Sequence, residues 1–151
     1  PAEVLLDAIS DATGVPERFD GYPLGTRAVQ VPDPGASSYF LRTFGRSERV
    51  TACACERSGD VNLASVLHLV GGDATTGKVA NATGWLARAM AAEKDDAKLV
   101  DALFLRTLGR VPNADERARI TTFRGQAADR AEFFRDVLWA VLNSKEFVFN
   151  H

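Results

Sequence analysis

The sequence predicts an all-α domain, an irregular bundle of about six to seven helices with one long Pro/Gly-rich strap near its start. Three observations carry this. Apolar residues recur at helical spacing, as Leu63, Val66, Leu67 and Val70 do at i, i+3, i+4 and i+7. Helix-ending chemistry separates the stripes: Gly14 before Pro16, Gly45, Gly71-Gly72, and Gly109 before Pro112. Strand-like alternation is scarce, with room for a small β element near the cysteines or the strap.

Taken in order, residues 2–12 read as a helix, with Val4, Leu5, Ala8 and Ala12 on one face. Thr13-Gly14 stops it and Pro16 follows. Residues 14–35 differ in kind, holding four of the six prolines (Pro16, Pro23, Pro32, Pro34) with Gly21, Gly25 and Gly35. An irregular run of about twenty residues is long for a compact domain. Phe19, Tyr22, Leu24, Val29 and Val31 give it apolar weight, so it is expected to wrap over the helices as an ordered strap. Ser37 or Ser38 caps a short helix through Phe44, and residues 46–59 form a cysteine loop.

Asp60 is an N-cap for the helix that Gly71-Gly72 closes, and Asp73 starts the next turn. Helices are expected near 73–81 and 84–94, the second burying Trp85, Leu86 and Met90. Leu99, Val100, Leu103, Phe104 and Leu108 form one apolar face, ended by Gly109. Asn113 followed by Glu116 has the spacing of a capping box, and Ile120 and Phe123 continue that helix. Phe134, Val137, Leu138 and Val141 form the final long stripe, with Trp139 and Leu142 beside it.

One hexamer nearly repeats: Leu41-Arg42-Thr43-Phe44-Gly45-Arg46 and Leu105-Arg106-Thr107-Leu108-Gly109-Arg110. The flanks do not match. The pair therefore reads as two helices using one ending, with glycine supplying a left-handed turn and arginine facing the helix carbonyls.

At 151 residues the chain suits a single domain (residues 1–151) that buries a core without metals or several disulfides. It is 46% apolar and 25% charged, in the soluble globular range. A net charge of −2 gives no electrostatic footprint for nucleic acid. No apolar run approaches a membrane span, so no membrane insertion is expected. The start is amphipathic, unlike a signal peptide. Because the first residue is Pro1, the chain reads as an excised or processed piece, and a missing leader says little about where the parent resides.

Cys53-Ala54-Cys55-Glu56-Arg57 holds the only two cysteines. In a helix, residues two apart point about 200° from each other and cannot cooperate. In an extended segment they share a face, with Cα atoms roughly 6.5 Å apart, near the upper edge of disulfide geometry. Four uses stay open: small buried thiols, a strained local disulfide, a metal site, or a reactive thiolate favoured by Arg57 and Arg49. A metal would need more ligands, and only His68 and His151 are on offer. His68 falls about 140° from Leu63, away from the apolar stripe, and His151 is the last residue. No metal ligand set or catalytic residue is therefore assigned.

Nothing else resembles a catalytic motif. Gly71 to Lys78 ends in Gly-Lys like a phosphate loop, but it lacks the preceding strand and has Val79 where Ser or Thr is required. Asp95, Asp96 and Glu116 are helix-start acids explained by the helix dipole. Glu56-Arg57 reads either as an exposed ion pair or as an anchor in which Arg57 fixes loop carbonyls with its five donors; the second is preferred.

Three segments carry a family resemblance. They are Cys53-Ala54-Cys55-Glu56-Arg57-Ser58 with the leucine-rich helix after it, Leu105 to Pro112, and Trp139-Ala140-Val141-Leu142-Asn143-Ser144-Lys145-Glu146-Phe147. In this order they resemble the planctomycete C-terminal domain of unknown function numbered fifteen-fifty-three. The likeness covers nearly the whole chain and corresponds to the C-terminal portion of that domain, whose earlier helices would precede Pro1. The departure lies at Val70-Gly71-Gly72, where relatives often read leucine-asparagine-serine.

The resemblance implies context more than activity. It implies a large exported protein, periplasmic or at the cell surface, that often carries a cytochrome c-like haem domain upstream. No cofactor is implied for this chain itself. An oxidising compartment would favour a disulfide between Cys53 and Cys55.

Three functions follow as expectations. The first is a non-catalytic helical scaffold or interaction module whose partners are other domains of the same parent chain. The second is a thiol/disulfide redox module working with a haem-bearing partner domain. The third is a ligand-binding or enzymatic domain acting on surface polymers, with a groove lined by Phe19, Tyr22 and Arg27.

Overall fold

The computed structural model describes residues 2–32, 40–41, 72 and 75–149, and among these the regular structure is all helical. Seven α-helices lie wholly within them: α1 (Ala2–Thr13), α2 (Thr76–Val79), α3 (Trp85–Ala92), α4 (Asp96–Leu108), α5 (Ala114–Gln126), α6 (Arg130–Leu142) and α7 (Lys145–Phe149). Phe40 and Leu41 are also helical and buried. A single 3-10 turn, Ala28–Gln30, stiffens the strap. No strand occurs among the described residues. The cysteine loop at 46–59 and the helix expected after Asp60 lie outside them.

The caps form as the sequence requires. Asp95 Oδ1 accepts the N–H groups of Ala97 and Lys98 at 2.9 and 3.3 Å and starts α4. Asn113 and Glu116 make the reciprocal box, at 2.9 Å from Glu116 N to Asn113 Oδ1 and 2.8 Å from Asn113 N to Glu116 Oε2. Asp129 accepts from Ala131 at 3.0 Å to open α6. Gly109 closes α4 at φ 70°, its N–H donating to Leu105 O at 3.1 Å.

Helix α6 is the hub of the fold. It packs against α2, α3, α4, α5 and α7, while α1 packs against the strap, α2 and α3. Phe133, Phe134, Val137, Leu138, Val141 and Leu142 put a wide arc of α6 into the core, where they meet Leu99, Val100, Leu103 and Phe104 of α4. Phe133 and Phe134 also meet edge to face, ring centroids 4.8 Å apart.

Four details differ from the sequence expectations or add to them. On α1 the buried face is Leu5, Leu6, Ile9 and Ala12, with Val4 turned outward, because α1 is covered by the strap as well as by helices. Helix α2 is a single turn, where Asn81 intervenes: its Oδ1 accepts from both Thr83 N and Thr83 Oγ1 at 2.8 Å and makes a local turn. The closing stripe breaks after Leu142, and Ser144 Oγ accepts Phe147 N–H at 3.2 Å to start α7. That break turns Phe147 back into the core against α4 and α6. Within the strap, Phe19 and Val31 are buried as expected, while Leu24 and Val29 face outward.

Candidate functional site

Asp7, on the second turn of α1, is buried at 5% exposure. Its Oδ1 accepts Ala28 N–H at 2.7 Å and its Oδ2 accepts Val29 N–H at 3.2 Å. These are the free amides at the start of the 3-10 turn, so a helix side chain supplies the cap that the strap lacks locally. Arg27 Nε lies 3.6 Å from the same carboxylate, and its Nη2 reaches Asp11 at 2.8 Å. The Asp11 hydrogen bond and the two nearby carboxylates hold the Arg27 guanidinium above its ordinary pKa.

Lys78 points inward from α2 with 7% exposure. Its Nζ donates to Ser10 Oγ at 3.1 Å and Val15 O at 2.8 Å, and pairs with Glu17 at 3.2 Å. Burial lowers the affinity of this amine for its proton, while Glu17 and the charge of Asp7 oppose the shift.

Ser10 also lines a cleft of 280 Å³ between α1 and the strap, with Asp7, Asp11, Glu17, Arg27 and Arg106 around it. A serine beside a buried lysine has the outline of a nucleophile with its base. The hydrogen bonding runs the other way. Three acceptors surround the three protons of an ammonium, so Lys78 donates to Ser10 Oγ and takes nothing from it. The pair fastens α2 to the end of α1.

The arginines do similar work at helix ends. Arg106 donates to Ala12 O at 2.8 Å and to Asp11 O, while lying 5.1 Å over the Trp85 ring. It thereby closes the carbonyl end of α1. Arg130 donates to Met90 O at 3.0 Å and Glu93 O at 2.6 Å, and pairs with Asp96 at 2.7 Å. Arg124 takes the other Asp96 oxygen at 2.7 Å. Burial works to raise the Asp96 pKa, and the hydrogen bonds from Arg130 and Arg124 outweigh it, leaving the carboxyl below its usual range.

Arg110 is held on all sides. Its Nη1 and Nη2 meet both oxygens of Glu116 at 2.8 Å, its Nε and Nη2 meet Glu146 at 2.7 and 2.6 Å, and Nη1 also reaches Val111 O at 3.1 Å. All five guanidinium N–H groups are engaged. The expectation that this arginine faces the carbonyls of its own helix is corrected here. Gly109 swings the chain out of α4, and the two carboxylates at the starts of α5 and α7 lie nearer. The Arg110 hydrogen bond holds Glu116 down at about 2, and Glu146 is lowered by the same arginine.

A groove of 460 Å³ lies between α4, α5 and α6. Phe104, Val137 and Val141 form its floor, Leu108, Ile120 and Phe123 its walls, and Arg119 and Asp136 stand on its rim. Helix α5 contributes no fully buried residue, and Phe123 stays 39% exposed.

Of the residues named from sequence for a ligand groove, Phe19 lies in the core, Tyr22 packs half-buried against it, and only Arg27 lines the strap cleft. Cys53, Cys55, Glu56 and Arg57 lie outside the described residues. Among the described residues no cluster of His, Cys, Asp or Glu is placed to hold a metal ion. No helix among them is long and apolar enough to cross a membrane.

Asp7 and Lys78 were not anticipated from sequence. A faint signal existed for Asp7, which sits between Leu6 and Ile9 rather than on a polar face. Lys78 carried none, standing in the sequence only as the end of a Gly-Lys turn. Comparison with protein-family models, curated proteins and solved structures finds no match.

Proposed function

We propose that this chain is a non-catalytic helical scaffold or interaction module of an exported multidomain protein, docking other domains of its parent chain. One observation carries the reading: among the described residues, the buried and clustered polar groups are engaged as internal fastenings, while a groove of 460 Å³ is apolar and open. Asp7, Lys78, Arg106, Arg110 and Arg130 each tie two or more segments together. A group so engaged cannot turn to a substrate without loosening the fold. The exported setting, and a haem in an upstream domain, rest on the family resemblance of the three sequence segments.

The test is calorimetric titration of this chain with the adjoining domain of its parent. A saturable one-to-one heat with a negative heat-capacity change supports docking. No heat at any temperature, with an unchanged amide spectrum, overturns it.

A further inference from the structure

Helix α5 is thirteen residues long and buries none of them fully, yet it carries Ile120 and Phe123 one turn apart on the side facing α6. Such a helix is normally held by an apolar stripe covered on both sides. Here Phe123 packs against Phe133 at 5.3 Å, Ile120 borders a smaller cavity of 290 Å³ on one side, and the stripe opens on the other into the 460 Å³ groove.

The charges on the rim are not equivalent. Glu116 and Glu146 are tied to Arg110 at one end of the groove. Arg119, on the α5 wall, and Asp136, on the α6 wall, make no ion pair among the described residues. The Arg119 charge also acts on Glu116 at the groove's end without an ion-pair contact, so the groove presents an apolar floor between one wall carrying a cation and another carrying an anion.

We propose that this groove receives an amphipathic helix of a partner domain. Its apolar stripe fills the floor, with an acidic residue on the flank beside Arg119 and a basic one on the flank beside Asp136. The inference rests on the interaction-module reading and specifies its site and partner chemistry. A helix is the occupant that fits a channel walled by helices, since it adds a fourth to the packing of α4, α5 and α6 with anchors at i, i+3 or i+4, and i+7. A strand would need an open sheet edge, and the described residues contain no strand. Opposite charges on the two walls set the direction in which the helix lies.

The test is selection from a displayed library of helical peptides with randomised stripe and flank positions, against the full chain and against Phe123→Asp as counter-target. Enriched peptides should carry the apolar stripe with an acidic and a basic flank. They should lose about tenfold or more in affinity on Phe123→Asp. In the Arg119→Glu/Asp136→Lys double variant, peptides with inverted flanks should become preferred by about three- to fivefold. Both sites lie at the surface, and thermal melts establish that each variant is folded.

The proposal is overturned if nothing is enriched over the counter-target, or if flank preference ignores the charge reversal. It is also overturned if sedimentation shows the chain dimerising in a manner that Phe123→Asp abolishes, since a second copy then fills the groove. If the adjoining domain binds wild type and Phe123→Asp alike, the groove assignment fails while the docking reading stands.

Discussion

The Oδ1 atom of Asp7 accepts the backbone N–H of Ala28 at 2.7 Å, across 21 residues of chain. With Oδ2 taking Val29, one buried carboxylate holds the middle of the strap to the first helix. Asp7→Ala should cost about 2 kcal/mol, because hydrogen bonds to a charged acceptor are lost and two amides are left to find water. Asp7→Asn should cost less, keeping one acceptor oxygen. Hydrogen exchange checks the cause: the Ala28 and Val29 amides should lose protection before those of α6. Uniform loss across the molecule would mean that the strap is not the unit released.

Lys78 makes a second long-range tie, and its chemistry is testable by substitution. Lys78→Met keeps most of the buried stem and removes the three donations to Ser10, Val15 and Glu17. A loss of about 2 kcal/mol is expected, below that of a fully buried pair because Glu17 can rehydrate. Ser10 should resist fluorophosphonate labelling in the wild-type chain, since its neighbour is an ammonium donor. Labelling of Ser10 that vanishes in Lys78→Met would establish the opposite polarity.

Two glycines with nearly equal φ should respond differently. Gly109 (φ 70°) has open space where a Cβ would stand, so Gly109→Ala should cost only the left-handed backbone, about 1 kcal/mol. Gly14 (φ 67°) has Trp85 Cβ and N at 3.1 Å from that position. Gly14→Ala therefore adds a clash with a helix start to the same strain and should be the more destabilising by urea titration. Equal losses would remove the contact from the account.

The Arg110 clamp predicts a pH dependence. Glu116 is lowered from its ordinary 4.5 to about 2 in the folded state, chiefly by the hydrogen bonds of Arg110. A depressed carboxylate stabilises the fold fully above its unfolded pKa, and that contribution is lost as pH falls through the folded value. The window thus runs from about 4.5 down to about 2. Glu146, lowered by the same arginine, adds in the same direction. Glu116→Gln should lower stability at neutral pH and flatten the acid limb of a urea-midpoint-versus-pH curve. An acid limb of unchanged slope would contradict the clamp.

Local features were legible in the sequence because their causes are local. Asp95, Asn113 with Glu116, and Gly109 mark helix ends through bonds to residues two to four positions away, and all form where the residue types place them. The stripe Val137, Leu138, Val141 identified the buried face of α6 for the same reason. The left-handed glycine of the repeated hexamer was legible. The target of its arginine was not, because Glu146 lies 36 residues away.

The sequence by itself determined the helical class, the order of the helices over 75–142 and the caps at Asp95, Asn113 and Gly109, since periodicity and capping act within a few residues. Tertiary structure alone decided which charges are buried and what they hold. Asp7 and Lys78 are buried and Arg110 is clamped near the surface, and each is held only because the fold brings it complementary groups from elsewhere in the chain. Tertiary structure also left the stripe of α5 incompletely covered, because whether an apolar stripe is covered depends on what packs against it and not on the stripe.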